Sequence, residues 1–194
     1  MFTTAAPRAR QTLGRWAHAS AAAVLALLCV AATAAPAAGG GNAPRVALVI
    51  GNAAYPTMPL ANPLNDARAI ADTLEKLGFQ VIRVENAKLP QMFEAVRQFG
   101  TALKSGVGLF YYAGHGAQVK GRNYLLPVDA SISTEDEVAY KAFDVGLVLE
   151  KMEAAKNPLN VVILDACRND PFARTTRSVT GGLAQMDAPA GAIV

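Results

Sequence analysis

Two side chains in this 194-residue chain have the chemistry for covalent catalysis at neutral pH: the thiol of Cys167 and the imidazole of His115. An unassisted cysteine is only a few per cent thiolate at pH 7, and an imidazole within reach can take its proton or stabilise its anion. The chain holds 2 cysteines and 2 histidines, but Cys29 and His18 fall in an N-terminal stretch that reads as a removable leader. Cys167 and His115 are then the one thiol and the one imidazole that remain. A single cysteine forms no intrachain disulfide, and a free thiol in an exported protein needs a reason. The same count leaves no Cys/His cluster, so no metal site is expected. Taken singly, Cys167 reads as a small buried hydrophobe and His115 as a loop histidine. Their joint placement argues for chemistry.

That placement follows from the elements that carry them. Val46-Ala47-Leu48-Val49-Ile50 is a continuous apolar run ending in Gly51-Asn52, as expected of a strand buried on both faces. A helix follows, with Asn62 as N-cap, Pro63 at its first position, Leu64, Ala67, Ile70, Leu74 and Leu77 at helical spacing, and Gly78 as its stop. Phe79 to Val84 is a second strand. Leu89 to Leu103 is a second helix, with Met92, Phe93, Val96, Phe99 and Leu103 on one face. Val107 to Tyr112 is a third strand, leading into Ala113-Gly114-His115-Gly116, with Asn123 to Val128 as a short hairpin arm beside it. A third helix is expected from Asp144 to Lys156, then a fourth strand from Asn160 to Asp165 leading into Ala166-Cys167-Arg168-Asn169. Asp170 to Gly182 reads as a surface loop, and Ala192-Ile193-Val194 as the start of a further strand.

Strands alternating with helices give an α/β fold, a mainly parallel sheet flanked by helices on both faces. Ligands of such sheets bind at the carboxyl ends of the strands. His115 after strand 3 and Cys167 after strand 4 are both expected on that edge. Gly51-Asn52-Ala53-Ala54-Tyr55-Pro56 after strand 1 is neither a P-loop nor a dinucleotide fingerprint, which argues against a nucleotide-binding domain.

Residues 1–34 read as a secretory signal peptide. Arg8, Arg10 and Arg15 precede an apolar centre at Val24 to Val30, and Ala32-Thr33-Ala34 supplies a small-residue cleavage site. An uncleaved anchor is the alternative. Residues 35–44 are a flexible spacer. Removal of the leader takes those three arginines from the 18 basic residues and none from the 15 acidic ones, so the remainder is charge-balanced. The basicity belongs to the leader, and neither nucleic acid nor, after cleavage, a membrane is an expected partner. The expected location is periplasmic or extracellular.

Tyr111-Tyr112-Ala113-Gly114-His115-Gly116 resembles the histidine loop of the caspase-like cysteine peptidases, and Ile163-Leu164-Asp165-Ala166-Cys167-Arg168-Asn169 resembles their cysteine loop. Arg45 to Asn52 and Asn65-Asp66-Ala67 resemble the opening strand and first helix of bacterial members. The resemblance covers residues 45–194 and implies a caspase-hemoglobinase-like fold with sheet order 2-1-3-4 followed by further strands. It implies Cys167 as the attacking thiolate, His115 as proton donor to the leaving amine, and the backbone N–H groups of Gly116 and Cys167 as the oxyanion hole. A glycine at position 116 suits a close backbone approach.

Two acids are candidates for substrate binding. Asp165 lies two positions before Cys167, on one face if the strand continues that far. Asp66 lies in the first turn of the first helix, at the same edge of the sheet, where an acid also suits the helix macrodipole. Matching acids in metacaspase-like and paracaspase-like members line the pocket for the residue before the scissile bond, which implies cleavage after Arg or Lys. Two carboxylates in a narrow pocket would attract a guanidinium and disfavour an acidic side chain. The resemblance implies protein or peptide substrates, no cofactor, and calcium only in the sense that some metacaspases require it. It says nothing of oligomeric state. Ala113 departs from the serine of many metacaspases, and the domain is expected to be C-terminally incomplete at Val194. A caspase-like module that binds without cleaving is the competing reading.

Overall fold

The computed structural model describes residues 43–167 and 192–193, and among them seven strands and four α-helices follow one another. Strand β1 (Arg45–Gly51) is buried from Val46 onward, as its unbroken apolar run requires. Helix α1 (Pro63–Lys76) has Pro63 in its first turn. The carbonyl of Asn62 accepts the N–H groups of Asn65 and Asp66 at 2.9 and 3.1 Å, but the Asn62 side chain makes no capping bond, contrary to the role expected of it. The helix ends at Gly78, whose φ of 80° lets Gly78 N–H and Phe79 N–H reach the carbonyls of Glu75 and Leu74, both at 3.0 Å. This left-handed stop is the one a glycine is suited to supply.

Strand β2 (Gln80–Glu85) and helix α2 (Leu89–Ala102) follow. Met92, Ala95, Val96 and Phe99 form the buried stripe of α2. Phe93, expected on that stripe, is 47% exposed, and its ring meets Phe143 edge-on at 5.0 Å. Strand β3 (Val107–Val119) is about twice as long as the run expected to end at Tyr112. Val107 to Ala113 pair with β1 and Val107 to His115 with the later strand β6, and its last four residues pair antiparallel with β4 (Arg122–Leu125). A change of partners takes the strand through Gly114 and His115 where a loop was expected.

After β4 come a short 3-10 turn (Glu135–Glu137), helix α3 (Val138–Lys141), strand β5 (Phe143–Asp144) and helix α4 (Gly146–Ala154). The third helix was expected to begin at Asp144. Asp144 instead lies in β5, and its Oδ1 accepts the N–H of Gly146 at 2.8 Å, a side-chain contact that starts the helix two residues later. Strand β6 (Leu159–Cys167) and the short β7 (Ala192–Ile193) complete the described part.

The parallel strands run in the order β2-β1-β3-β6-β7, with β4 and β5 added antiparallel beyond the end of β3. This matches the expected order, with β6 as the fourth strand, and the fold is α/β. One face of the sheet packs Leu48, Ile50, Phe110, Tyr112 and Val162 against Met92, Phe99 and Met152 from α2 and α4. Each such burial contributes about 1.5–3 kcal/mol. On the other face α1 lies so close that a Cβ at Gly51 would sit 2.7 Å from Ala67 Cβ and 2.8 Å from Pro63 O. That approach brings the first turn of α1, with Asp66, to the carboxyl end of β1. The expected leader (1–34), the spacer up to Asn42 and the loop at 170–182 lie outside the described residues.

Candidate active site

Strands β3 and β6 pair in parallel register from Val107↔Leu159 to His115↔Cys167. The two candidate residues are therefore opposite one another on adjacent strands, whose backbones run about 4.8 Å apart. Both were expected just beyond their strands. They are the last rung of the ladder, so their backbones are held by strand pairing.

His115 is buried, 3% exposed. Its Nε2 lies 2.8 Å from the carbonyl oxygen of Met58. A carbonyl can only accept, so Nε2 carries the hydrogen and Nδ1 is the basic nitrogen. Nδ1 is buried and has no hydrogen-bond partner among the described residues. This is the arrangement a proton acceptor and donor needs: one nitrogen committed to orienting the ring, the other unpaired.

The backbone of His115 is held as firmly as its ring. Its carbonyl accepts the N–H of Leu126 at 3.0 Å and lies 2.8 Å from the Tyr112 hydroxyl, which donates to it. Its N–H donates to the Tyr55 hydroxyl at 3.0 Å, and that hydroxyl donates to Leu126 O at 3.0 Å. The Tyr55 and Tyr112 hydroxyls are themselves 3.1 Å apart. Burial first, and the neighbouring Tyr55 second, push the Tyr112 pKa well above its ordinary value. The two hydroxyls fill the space beside Gly114, where a Cβ would stand 2.5 Å from one and 2.8 Å from the other. The Tyr55 ring also meets the imidazole, with centroids 4.4 Å apart and planes at 55°.

Tyr55 and Met58 belong to the loop after β1, which asparagine side chains hold in place. Asn52 is fully buried; its Oδ1 accepts Ala87 N–H at 2.8 Å and its Nδ2 donates to Leu126 O at 3.1 Å. Asn86, at a left-handed φ of 52°, accepts the N–H groups of Ala53 and Ala54, both at 3.0 Å.

The two acids converge on the same edge. Asp165 is in β6, in register with Ala113, and accepts the Tyr111 hydroxyl at 3.2 Å. β6 runs on through Cys167, which meets the condition for Asp165 and residue 167 to stand two positions apart on one strand. Asp66 is close enough for the Asp165 charge to act on it: partial burial first, and that charge second, push its pKa up. Burial, then Asp165 and Asp66, push the Tyr111 pKa up as well, so its hydroxyl remains a donor. Both aspartates are exposed residues. Among the described residues they form an open acidic corner and no narrow pocket. Gly116 is buried in β3 opposite Leu125.

Tyr55, Met58, Tyr111 and Tyr112 were not found by sequence reasoning. The tyrosines carried a signal, since each lies in or beside a strand end on the edge expected to hold the site. The Met58 carbonyl carried none, because every residue has one. No group of three or more His, Cys, Asp or Glu side chains among the described residues could hold a metal ion.

A family model described as Peptidase C14, caspase domain, matches residues 44–190. The mucosa-associated lymphoid tissue lymphoma translocation protein 1 of Homo sapiens and its homologue of Mus musculus are each 37% identical over 126 residues, which is 64% of this chain and 15% of theirs. The chain thus spans about 15% of the length of these curated relatives. The crystal structure of the Drosophila initiator caspase Dronc aligns with a TM-score of 0.49 at 17% identity, covering 69% of this chain and 50% of that one.

Proposed function

The chain belongs to the caspase-domain family of peptidases, and from that premise we propose that it is a cysteine endopeptidase in which Cys167 is the nucleophile and His115 moves the protons. The observation that carries the reading is the His115↔Cys167 rung, beside an imidazole whose Nε2 is committed to Met58 and whose Nδ1 is unpaired among the described residues. Nδ1 takes the thiol proton, and the thiolate adds to the scissile carbonyl carbon. The tetrahedral intermediate collapses, breaking the C–N bond, and the leaving amine takes the proton from Nδ1. Water then adds to the thioester, giving its proton to Nδ1, and the acid is released as the proton returns to sulfur. While Nδ1 is protonated, the Nε2–H bond to Met58 O keeps the charged ring in place.

Backbone N–H groups of Gly116 and Cys167 serve as the oxyanion hole, a donor of this kind being worth about 3 kcal/mol. The bond from Leu126 N–H to His115 O makes the next antiparallel pair, Gly116↔Leu125, a non-bonded one, so the Gly116 N–H turns away from β4 toward β6, the strand that carries Cys167.

The substrates of a peptidase family are proteins or peptides, and we place Arg or Lys before the bond cut. Asp66 and Asp165 support this as carboxylates on the edge that carries the rung, with the Tyr111 hydroxyl donating to one of them. Burial first, and the Asp165 charge second, hold the Asp66 pKa up, and a bound cation offsets the second of these. In the full-length protein, Cys167→Ala and His115→Ala should each abolish nearly all turnover of an Arg peptide, and the double variant should be hardly worse. Substantial turnover by Cys167→Ala would refute the nucleophile. A peptide ketone should alkylate Cys167 selectively, which a module that only binds would have no means to favour. We also propose export through the leader at residues 1–34. Protein recovered from an export-competent host should begin near Ala35, and a chain retaining Met1 in the cytoplasm would refute this.

A further inference from the structure

We infer that Tyr55 is a positioning residue for His115, acting through a hydroxyl set into the pairing between β3 and the chain that leaves β4. The inference rests on the acid/base role proposed for His115 and adds a residue to it.

An antiparallel pair at His115 and Leu126 would ordinarily exchange two direct bonds. One is made, from Leu126 N–H to His115 O at 3.0 Å. In place of the other, the Tyr55 hydroxyl accepts from His115 N–H and donates to Leu126 O, each at 3.0 Å. A direct N–H to O bond closes at about 2.9 Å, a span the hydroxyl now occupies. It therefore props the backbone of His115 away from the neighbouring chain on one side only. The ring of the same tyrosine lies 4.4 Å from the imidazole, and the same loop supplies the Met58 carbonyl to Nε2. Backbone, ring plane and tautomer of His115 are thus all referred to one segment, and Tyr55 is the side chain that touches two of the three.

Removal of the hydroxyl alone leaves two outcomes for the backbone. The pair closes to a direct bond, carrying His115 toward Leu126, or the buried N–H stays without its partner and the strand end loosens. Either displaces Nδ1 relative to the rung partner at position 167. The Asn52 and Tyr112 contacts to Leu126 O do not restore the spacing, because neither reaches His115 N–H.

The test is Tyr55→Phe in the full-length protein, read in two independent ways. In steady-state cleavage of an Arg peptide, kcat should fall about 10–100-fold, the scale of an ångström-level misplacement of a catalytic group, with KM within about twofold of wild type, an order-of-magnitude bound for a group that does not touch substrate. In imidazole 15N spectra, assigned with His115→Gln, wild-type His115 should be the Nε2–H tautomer, and Tyr55→Phe should move its resonances toward a tautomeric average. An unchanged His115 spectrum overturns the inference, whatever the activity. So does a variant whose KM rises while kcat holds. A variant that does not fold overturns it too, since the hydroxyl would then serve the fold of the loop. If the wild-type protein cleaves no peptide, the acid/base reading fails and the spectral comparison still decides the role of Tyr55.

Discussion

Asp165→Asn separates the charge of the acidic corner from its shape. The amide keeps an oxygen able to accept the Tyr111 hydroxyl, now held at 3.2 Å, so β3 and β6 need not shift. It removes one negative charge from the edge of the sheet. For a fully buried ion pair the loss of one partner costs about 3–5 kcal/mol, but Asp165 is an exposed residue and the full figure does not apply. A hydrogen bond to a charged group contributes about 1.5–3 kcal/mol, and solvent screening places this one near the lower end. The kcat/KM of an Arg peptide should fall by about tenfold, which is what 1.4 kcal/mol amounts to, while a Leu peptide changes by less than about twofold, having no charge to pair.

The same substitution has a consequence in pH. The Asp66 pKa is raised, by partial burial first and by the Asp165 charge second. With a raised pKa, Asp66 is ionised only at pH values above those an ordinary aspartate needs, and binding of a cationic side chain weakens as pH falls through that point. The acid limb of kcat/KM for the Arg peptide should therefore lie higher than for a normal aspartate. Asp165→Asn removes the second cause, so the limb should move to lower pH and stop short of the ordinary value because burial remains. The assay is kcat/KM against pH for the Arg and Leu peptides with both proteins. Equal losses on both peptides, or a limb that stays put or moves upward, would refute the assignment of these carboxylates to the substrate's charge.

Substitutions at two further positions test the supports of His115. Gly114→Ala would drive a methyl into the Tyr112 and Tyr55 hydroxyls at 2.5 and 2.8 Å; overpacking of this kind costs about 1–3 kcal/mol, so a thermal melt should show a lower Tm and activity should fall with it. Asn86→Gly keeps the left-handed backbone at φ 52° and loses the two bonds to Ala53 and Ala54, about 0.5–1.5 kcal/mol each. Asn86→Ala loses the same bonds. Its cost of about 1–2 kcal/mol in that conformation exceeds the ~0.4–1 kcal/mol that glycine forfeits through unfolded-chain entropy, so chemical denaturation should rank alanine the less stable of the two.

The sheet was legible because its signals are local. The apolar runs at Val46 to Ile50 and Asn160 to Asp165 are strands where periodicity put them, and Pro63 and Gly78 bracket α1 as turn chemistry requires. Misreadings arose where a tertiary partner overrode the local signal. Two glycines and a histidine after Tyr112 suggest a loop, yet β6 on one side and β4 on the other keep the chain extended to Val119. Phe93 fits a helical stripe by spacing, but the buried face of α2 is centred on Met92, Ala95, Val96 and Phe99, which leaves the Phe93 ring at its margin, edge-on to Phe143. Asp144 looks like a helical residue until its carboxylate is seen to accept the N–H two positions on.

The site divides along the same line. Cys167, His115, Asp66 and Asp165 are chemically distinctive side chains, and a sequence displays such residues openly. The parts that orient His115 are a carbonyl at Met58, hydroxyls at Tyr55 and Tyr112, and a loop without regular structure. That loop has no strand ladder to hold it, so Asn52 and Asn86 supply side-chain amides where a strand would supply backbone ones. Asn52 bonds to residue 87, after β2, and to residue 126, after β4. It ties together at one point the chain leaving three strands, and Leu126, one of the residues it bonds, also meets the Tyr55 hydroxyl and His115. A change at either asparagine would therefore reach the imidazole without touching it, through the loop that carries both Met58 and Tyr55. Strand pairing sets where His115 stands; the loop after β1 sets which nitrogen carries the hydrogen.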